Sequence, residues 1–184
     1  MSATINAPGI TLVLGGARSG KSRYAEGLIA ALPPPWIYVA TAQACDAEMA
    51  ERIAQHRARR APAWRTIEAP DDLASAIGAA PASAPLLVDC LTLWLSNRML
   101  ANTAIDAEIG AVETALATRM GPVVLVSNEV GCGIVPENAL ARRFRDLQGA
   151  LNARLAARAD CVVLLVAGTP LVIKGTPASA RVGA

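Results

Sequence analysis

Gly15-Gly16-Ala17-Arg18-Ser19-Gly20-Lys21-Ser22 fits the pattern G-x-x-x-x-G-K-[ST]. Glycines at its ends let the backbone turn tightly, so that successive N–H groups and the positive end of a following helix point at phosphate oxygens. Lys21 then reaches the outer phosphates of a nucleoside triphosphate, and the Ser22 hydroxyl holds Mg²⁺. All eight residues are expected to bind the nucleotide, with Lys21 also catalytic. A carboxylate at the end of another strand normally supports the metal. Asp89 ends the apolar run Leu86-Leu87-Val88 and is assigned that role together with Ser22. Glu129, after Val123 to Val126 and Ser127-Asn128, competes for it, and a carboxylate at a strand end can also simply cap the next turn. The Asn-Lys-x-Asp run that reads guanine in GTPases is absent, so the base is not specified by that signature.

His56 is the only histidine, and it lies in a stretch with helical periodicity, Asp46 to Arg60. Helical spacing stacks Arg52, His56 and Arg60 on one stripe with Arg59 beside them. Such a stripe can bind several phosphate oxygens. Nearby positive charge disfavours the imidazolium, and a neutral imidazole can attack phosphorus. A solvated basic helix carrying a surface histidine accounts for the same spacing, and periodicity alone does not separate the two.

The elements that would position these groups alternate along the chain. Apolar, β-branched runs at Ile10 to Leu14, Trp36 to Ala40, Leu86 to Asp89, Val123 to Ser127 and Cys161 to Ala167 lie between helix-like segments. That alternation predicts an α/β fold, a mostly parallel sheet covered by helices, and the glycine-rich motif between its first strand and a following helix makes it one of the P-loop NTPase type. Ligands of such sheets gather at the carboxyl ends of the strands. Helices are predicted over Ser22 to Ala31, Asp46 to Arg60, Ala104 to Arg119 and Asn138 to Ala159. In the last, Leu140, Phe144, Leu147, Leu151 and Leu155 form one apolar stripe that should face the core. The alanine- and proline-rich stretches Ala69 to Pro85 and Pro177 to Ala184 separate no independent cores.

At 184 residues a single domain is expected, with residues 1–9 and 175–184 as flexible ends. Although 53% of residues are hydrophobic, no run of about 18 apolar residues suggests a membrane span. The opening residues do not resemble a secretory signal, so cytoplasmic residence is the expectation. The four cysteines, Cys45, Cys90, Cys132 and Cys161, form no CxxC pair and read as small core residues. A net charge of +2 and 3% aromatic residues argue against a nucleic-acid surface.

The motifs together resemble one family. GGARSGKS is followed by Ala40-Thr41-Ala42-Gln43, by Asp46, Glu48 and Met49, by Arg52-Ile53-Ala54-Gln55-His56, and by Trp64-Arg65-Thr66 with Glu68. Leu91-Thr92-Leu93-Trp94, Ser96-Asn97, SNEVGCGIVPEN from Ser127 to Asn138, and Arg143 to Asp146 continue the series in order. From about Ile10 to Lys174 this is similar to the bifunctional adenosylcobinamide kinase/adenosylcobinamide-phosphate guanylyltransferase family. The resemblance implies two reactions of adenosylcobalamin assembly. A nucleoside triphosphate, ATP or GTP, phosphorylates adenosylcobinamide; GMP then passes from GTP to adenosylcobinamide phosphate, giving adenosylcobinamide-GDP and pyrophosphate.

It further implies that His56 carries GMP covalently, and that Ala40, Thr41, Ala42, Arg57, Ala58, Arg59, Arg60, Glu68 and Asp89 lie around the nucleotide, with Mg²⁺ as cofactor. A homotrimer is implied too. Two departures are visible: Gln55 precedes His56 where relatives often have a second histidine, and Asp89 stands where they often have glutamate. The rival readings are a P-loop small-metabolite kinase, which has no use for His56, and a non-enzymatic GTP-sensing module.

Overall fold

The computed structural model describes residues 9–43, 51, 54 and 60–177. Seven strands form one sheet: β1 (Ile10–Gly15), β2 (Trp36–Ala40), β3 (Trp64–Glu68), β4 (Leu86–Asp89), β5 (Val123–Asn128), β6 (Cys161–Val166) and β7 (Thr169–Lys174). Their spatial order is β3-β2-β4-β5-β1-β6-β7, and only β7 runs antiparallel to its neighbour. The described helices are α1 (Lys21–Ala30), α2 (Leu73–Ala79), α3 (Leu91–Leu100), α4 (Ile105–Ala117) and α5 (Ala139–Arg158). None is long and apolar enough to cross a membrane.

Strand alternation divides the core between two faces. On one, Val13, Leu87, Val124, Val126, Val163 and Leu165 pack against Ala25, Leu28 and Ile29 of α1. On the other, Leu12, Val39, Val88 and Leu125 meet Leu73 and Ile77 of α2, Trp94 and Leu95 of α3, Ile109 and Val112 of α4, and Leu151 and Leu155 of α5. Burial on both faces explains why the central strands lack polar alternation.

Four elements escaped the sequence patterns. β3 is a half-exposed, largely polar edge strand, and β7 is exposed along its length with Pro170 inside it, a placement an edge strand tolerates. α2 sits within the alanine- and proline-rich stretch, its amino end capped by the Asp72 carboxylate, which accepts from Ser75 N at 3.0 Å. α3 starts two residues after Asp89. Of the expected helix Asp46 to Arg60, the described Glu51 and Ala54 are helical and Arg60 lies in a bend. Two side-chain expectations need correction. Cys132 is exposed rather than core, because it lies in the non-regular segment between β5 and α5; Cys90 and Cys161 are buried as expected, and Cys45 lies outside the described residues. In the stripe of α5, Leu151 and Leu155 are buried, but Leu140 is half exposed, in a first turn that contains no buried residue.

Candidate active site

The phosphate-binding loop joins β1 to α1. Gly15 must be glycine here, since a Cβ would fall 2.6 Å from the Leu165 carbonyl oxygen and 2.6 Å from Ser19 Oγ. Gly20 precedes the helix with φ 91°, a left-handed conformation that favours glycine. Gly16, Ala17, Arg18 and Gly20 are exposed, Ser22 is half-buried, and Ser19 and Lys21 are buried. The Lys21 ammonium donates to the Gly16 carbonyl at 2.7 Å, across the loop. Ser19 Oγ is buried with no hydrogen-bond partner, a polar atom inside the turn that would hold phosphate.

The sheet order brings the other strand ends alongside. β5 lies between β1 and β4, with Gly15 opposite Asn128 and Val126 opposite Asp89. β2 flanks β4 on its other side, so Glu68, Ala40 and Asp89 form a row across the carboxyl edge. Thr41 is fully buried and its hydroxyl clamps the residue after Asp89, donating to Cys90 O at 2.6 Å and accepting from Cys90 N at 2.8 Å. Ala42 is half-buried beside it. Burial foremost, and then the Asp89 charge, pushes the Cys90 thiol up to about 11, while the Lys21 ammonium pulls it the other way. A thiol held neutral is no nucleophile. The opposing pull places the lysine's field at the end of β4.

Asp89 has a specific partner. Tyr38 Oη donates to its Oδ2 at 2.9 Å. Burial, followed by the Asp89 charge, holds the phenol well above its ordinary range, so it remains a donor. Arg60 stacks on the Tyr38 ring, 3.7 Å from the guanidinium carbon to the centroid, and donates to Thr66 Oγ1 at 2.9 Å. Glu129 instead donates its backbone N–H to Gly15 O at 3.0 Å, and its carboxylate accepts from Gly131 N, capping the turn that follows β5.

The segment after that turn is pinned to α5, where Arg145 donates to Gly131 O and Arg142 to Pro136 O. Behind β5 lies a buried polar cluster that spacing alone did not reveal. Ser127 Oγ donates to Asn152 Oδ1 at 2.7 Å, and Gln148 Nε2 donates to both Ser127 Oγ and Asn152 Oδ1. Its signal in the sequence is a pair of amides, Gln148 and Asn152, one turn apart on the inward stripe of α5. His56, Arg57, Ala58 and Arg59 lie outside the described residues.

A glycine-rich loop between β1 and α1, set beside carboxylates at the ends of neighbouring parallel strands, defines a P-loop nucleotide-binding enzyme. The crystal structure of the flagellar accessory protein FlaH from Methanocaldococcus jannaschii is similar in fold, with a TM-score of 0.54 at 14% identity over 94% of this chain and 81% of that one. The family described as cobinamide kinase / cobinamide phosphate guanyltransferase (CobU) matches residues 11–173. The bifunctional adenosylcobalamin biosynthesis protein CobP of Pseudomonas aeruginosa is 49% identical over 169 residues, covering 90% of this chain and 98% of that protein. The corresponding CobU protein of Salmonella typhimurium is 46% identical over 180 residues, covering 89% and 98%. The chain therefore belongs to the cobinamide kinase / cobinamide phosphate guanyltransferase family, whose bifunctional members serve cobalamin biosynthesis.

Proposed function

We propose that this chain phosphorylates adenosylcobinamide at the loop Gly15 to Ser22 and then guanylylates the product through His56. The observation that carries the reading is the phosphate loop with Lys21 after β1 and Asp89 at the end of β4, on either side of β5 at the carboxyl edge of one sheet, in a chain of this family. In the first reaction the substrate hydroxyl oxygen bonds to the terminal phosphorus of ATP or GTP. The bond to the bridging oxygen breaks, the hydroxyl proton is released, and the nucleoside diphosphate departs. The loop N–H groups and Lys21, swung from the Gly16 carbonyl, offset the charge on the transferring group. In the second, an imidazole nitrogen of His56 bonds to the α-phosphorus of GTP and pyrophosphate leaves; an oxygen of adenosylcobinamide phosphate then takes the GMP and frees the histidine. Gly15 to Ser22, Ala40 to Ala42, Arg57 to Arg60, Glu68 and Asp89 would surround the nucleotide.

The Ser22 hydroxyl and the Asp89 carboxylate are hard oxygen donors suited to Mg²⁺, which takes few protein ligands and is completed by water and phosphate. When bound, Mg²⁺ would neutralise charge on the outer phosphates. A cytoplasmic homotrimer belongs to the same reading through the family resemblance, and the exposed Ile134, Val135 and Leu140 around the start of α5 offer an apolar surface to a second copy.

His56→Ala tests the division of labour. The variant should phosphorylate adenosylcobinamide at the parental rate, retain no labelled GMP from GTP, and form little adenosylcobinamide-GDP. Normal adenosylcobinamide-GDP formation would overturn the nucleophile assignment. Circular dichroism and nucleotide affinity measured alongside separate lost chemistry from lost structure.

A further inference from the structure

Asn128 ends β5 between the phosphate loop on one side and Asp89 on the other. Two observations fix the face on which its carboxamide lies. Ser127 points to α5, where it bonds Asn152, whereas Val124 and Val126 pack with α1; strand alternation therefore puts Asn128 on the α1 face. Gly15, its partner in parallel register, gives the same answer. A Cβ on Gly15 would point toward Ser19 Oγ at 2.6 Å and Lys21 Cγ at 3.2 Å, so that face is the inside of the phosphate loop.

The backbone of Asn128 is held from both sides by side chains. Its N–H donates to Thr92 Oγ1 at 2.7 Å, and its carbonyl accepts from Asn152 Nδ2 at 3.0 Å. Asn152 is in turn fixed by Ser127 and Gln148, all three buried. By contrast, the half-buried carboxamide makes no hydrogen bond to the described residues. A rigid frame around an uncommitted donor at the phosphate loop is the arrangement by which enzymes preorganise a contact to developing charge.

We infer that Asn128 is a catalytic residue of the kinase reaction, its carboxamide N–H₂ donating to the terminal phosphate of the bound triphosphate, with Thr92 and Asn152 as the residues that position it. The inference rests on the nucleotide occupying the loop as proposed above. A neutral amide suits this position because it donates to an anionic oxygen without adding charge, whereas a carboxylate there would repel it.

The test uses the full-length protein. Asn128→Ala removes no hydrogen bond to the described residues, so its melting temperature should match the parent. Its affinity for ADP and GDP should stay within about twofold, while single-turnover phosphorylation of adenosylcobinamide should fall about 100-fold, as when one preorganised donor is lost. Asn128→Asp should bind non-hydrolysable triphosphate analogues more weakly than Asn128→Ala does. Thr92→Val should lower kcat with KM little changed, and Thr92→Ser, which keeps the hydroxyl, should restore it. A parental phosphorylation rate in Asn128→Ala would overturn the assignment. Lys21→Ala, run in parallel, separates the two levels: weakened nucleotide binding there beside an unchanged Asn128→Ala rejects the asparagine alone, whereas parental binding and turnover by Lys21→Ala reject the loop reading with it.

Discussion

Tyr38 and Asp89, 51 positions apart in the chain, meet at 2.9 Å across neighbouring strands, the phenol donating to the carboxylate while its ring supports Arg60. One side chain thus links a candidate metal-side carboxylate to a cation assigned to the nucleotide. Tyr38→Phe keeps the ring, its stacking on Arg60 and its edge contact with Trp64, and deletes only the hydrogen bond. A hydrogen bond to a charged group contributes about 1.5–3 kcal/mol. We expect a lowered melting temperature and a kinase Mg²⁺ titration displaced to higher concentration. Asp89→Asn should displace that titration further, and an unchanged titration in Asp89→Asn would move the metal-side role to Glu129.

Gly15 and Gly16 are adjacent in sequence and opposite in tolerance. Gly15→Ala would drive a methyl against the Leu165 carbonyl and Ser19 Oγ, whereas Gly16 has open space where its Cβ would be. Overpacking of this kind costs about 1–3 kcal/mol. Gly15→Ala should lose nucleotide binding and melt earlier, while Gly16→Ala should melt with the parent. Parental GTP affinity in Gly15→Ala, read by titration calorimetry, would show that the loop relaxes around the methyl.

Acid should loosen the contact between α4 and α5. Glu113 is mostly buried and receives Arg154 at 2.6 Å and Arg158 at 3.1 Å. The hydrogen bond from Arg154, the largest influence, holds its carboxyl below the ordinary value of 4.5. Because the folded-state value is the depressed one, the stabilisation is complete above the unfolded value and is lost as pH falls through the folded one. Thermal melts between pH 7 and 3 should therefore drop most steeply below about pH 4.5. Glu113→Gln should flatten that acid limb, and an identical pH profile in the variant would remove Glu113 from the account.

What could be read from the sequence follows from where each signal resides. The loop Gly15 to Ser22 and the five apolar runs are local patterns, and each became the expected turn or strand. β3 and β7 did not announce themselves, because an edge strand needs no continuous apolar run. The Tyr38–Asp89 pair requires knowing that β2 adjoins β4, and the clamp on Asn128 requires α3 and α5 to reach one strand end from different parts of the chain. Such pairings belong to the topology. His56 was identified by family resemblance rather than by spacing, since its basic stripe suits a solvated helix equally well.

The turn between β6 and β7 touches the phosphate loop, Gly168 N donating to Ser19 O at 3.1 Å, and Leu165 of β6 walls in Gly15. During translation the loop leaves the ribosome before its supporting wall, which emerges roughly 150 residues later, at about 5–20 residues per second. For that interval a nascent chain carries the whole motif without the scaffold that shapes it. The shape of the loop thus depends on a late-made part of the sheet, since its contacts with Leu165 and Gly168 form only once β6 and the turn after it have docked.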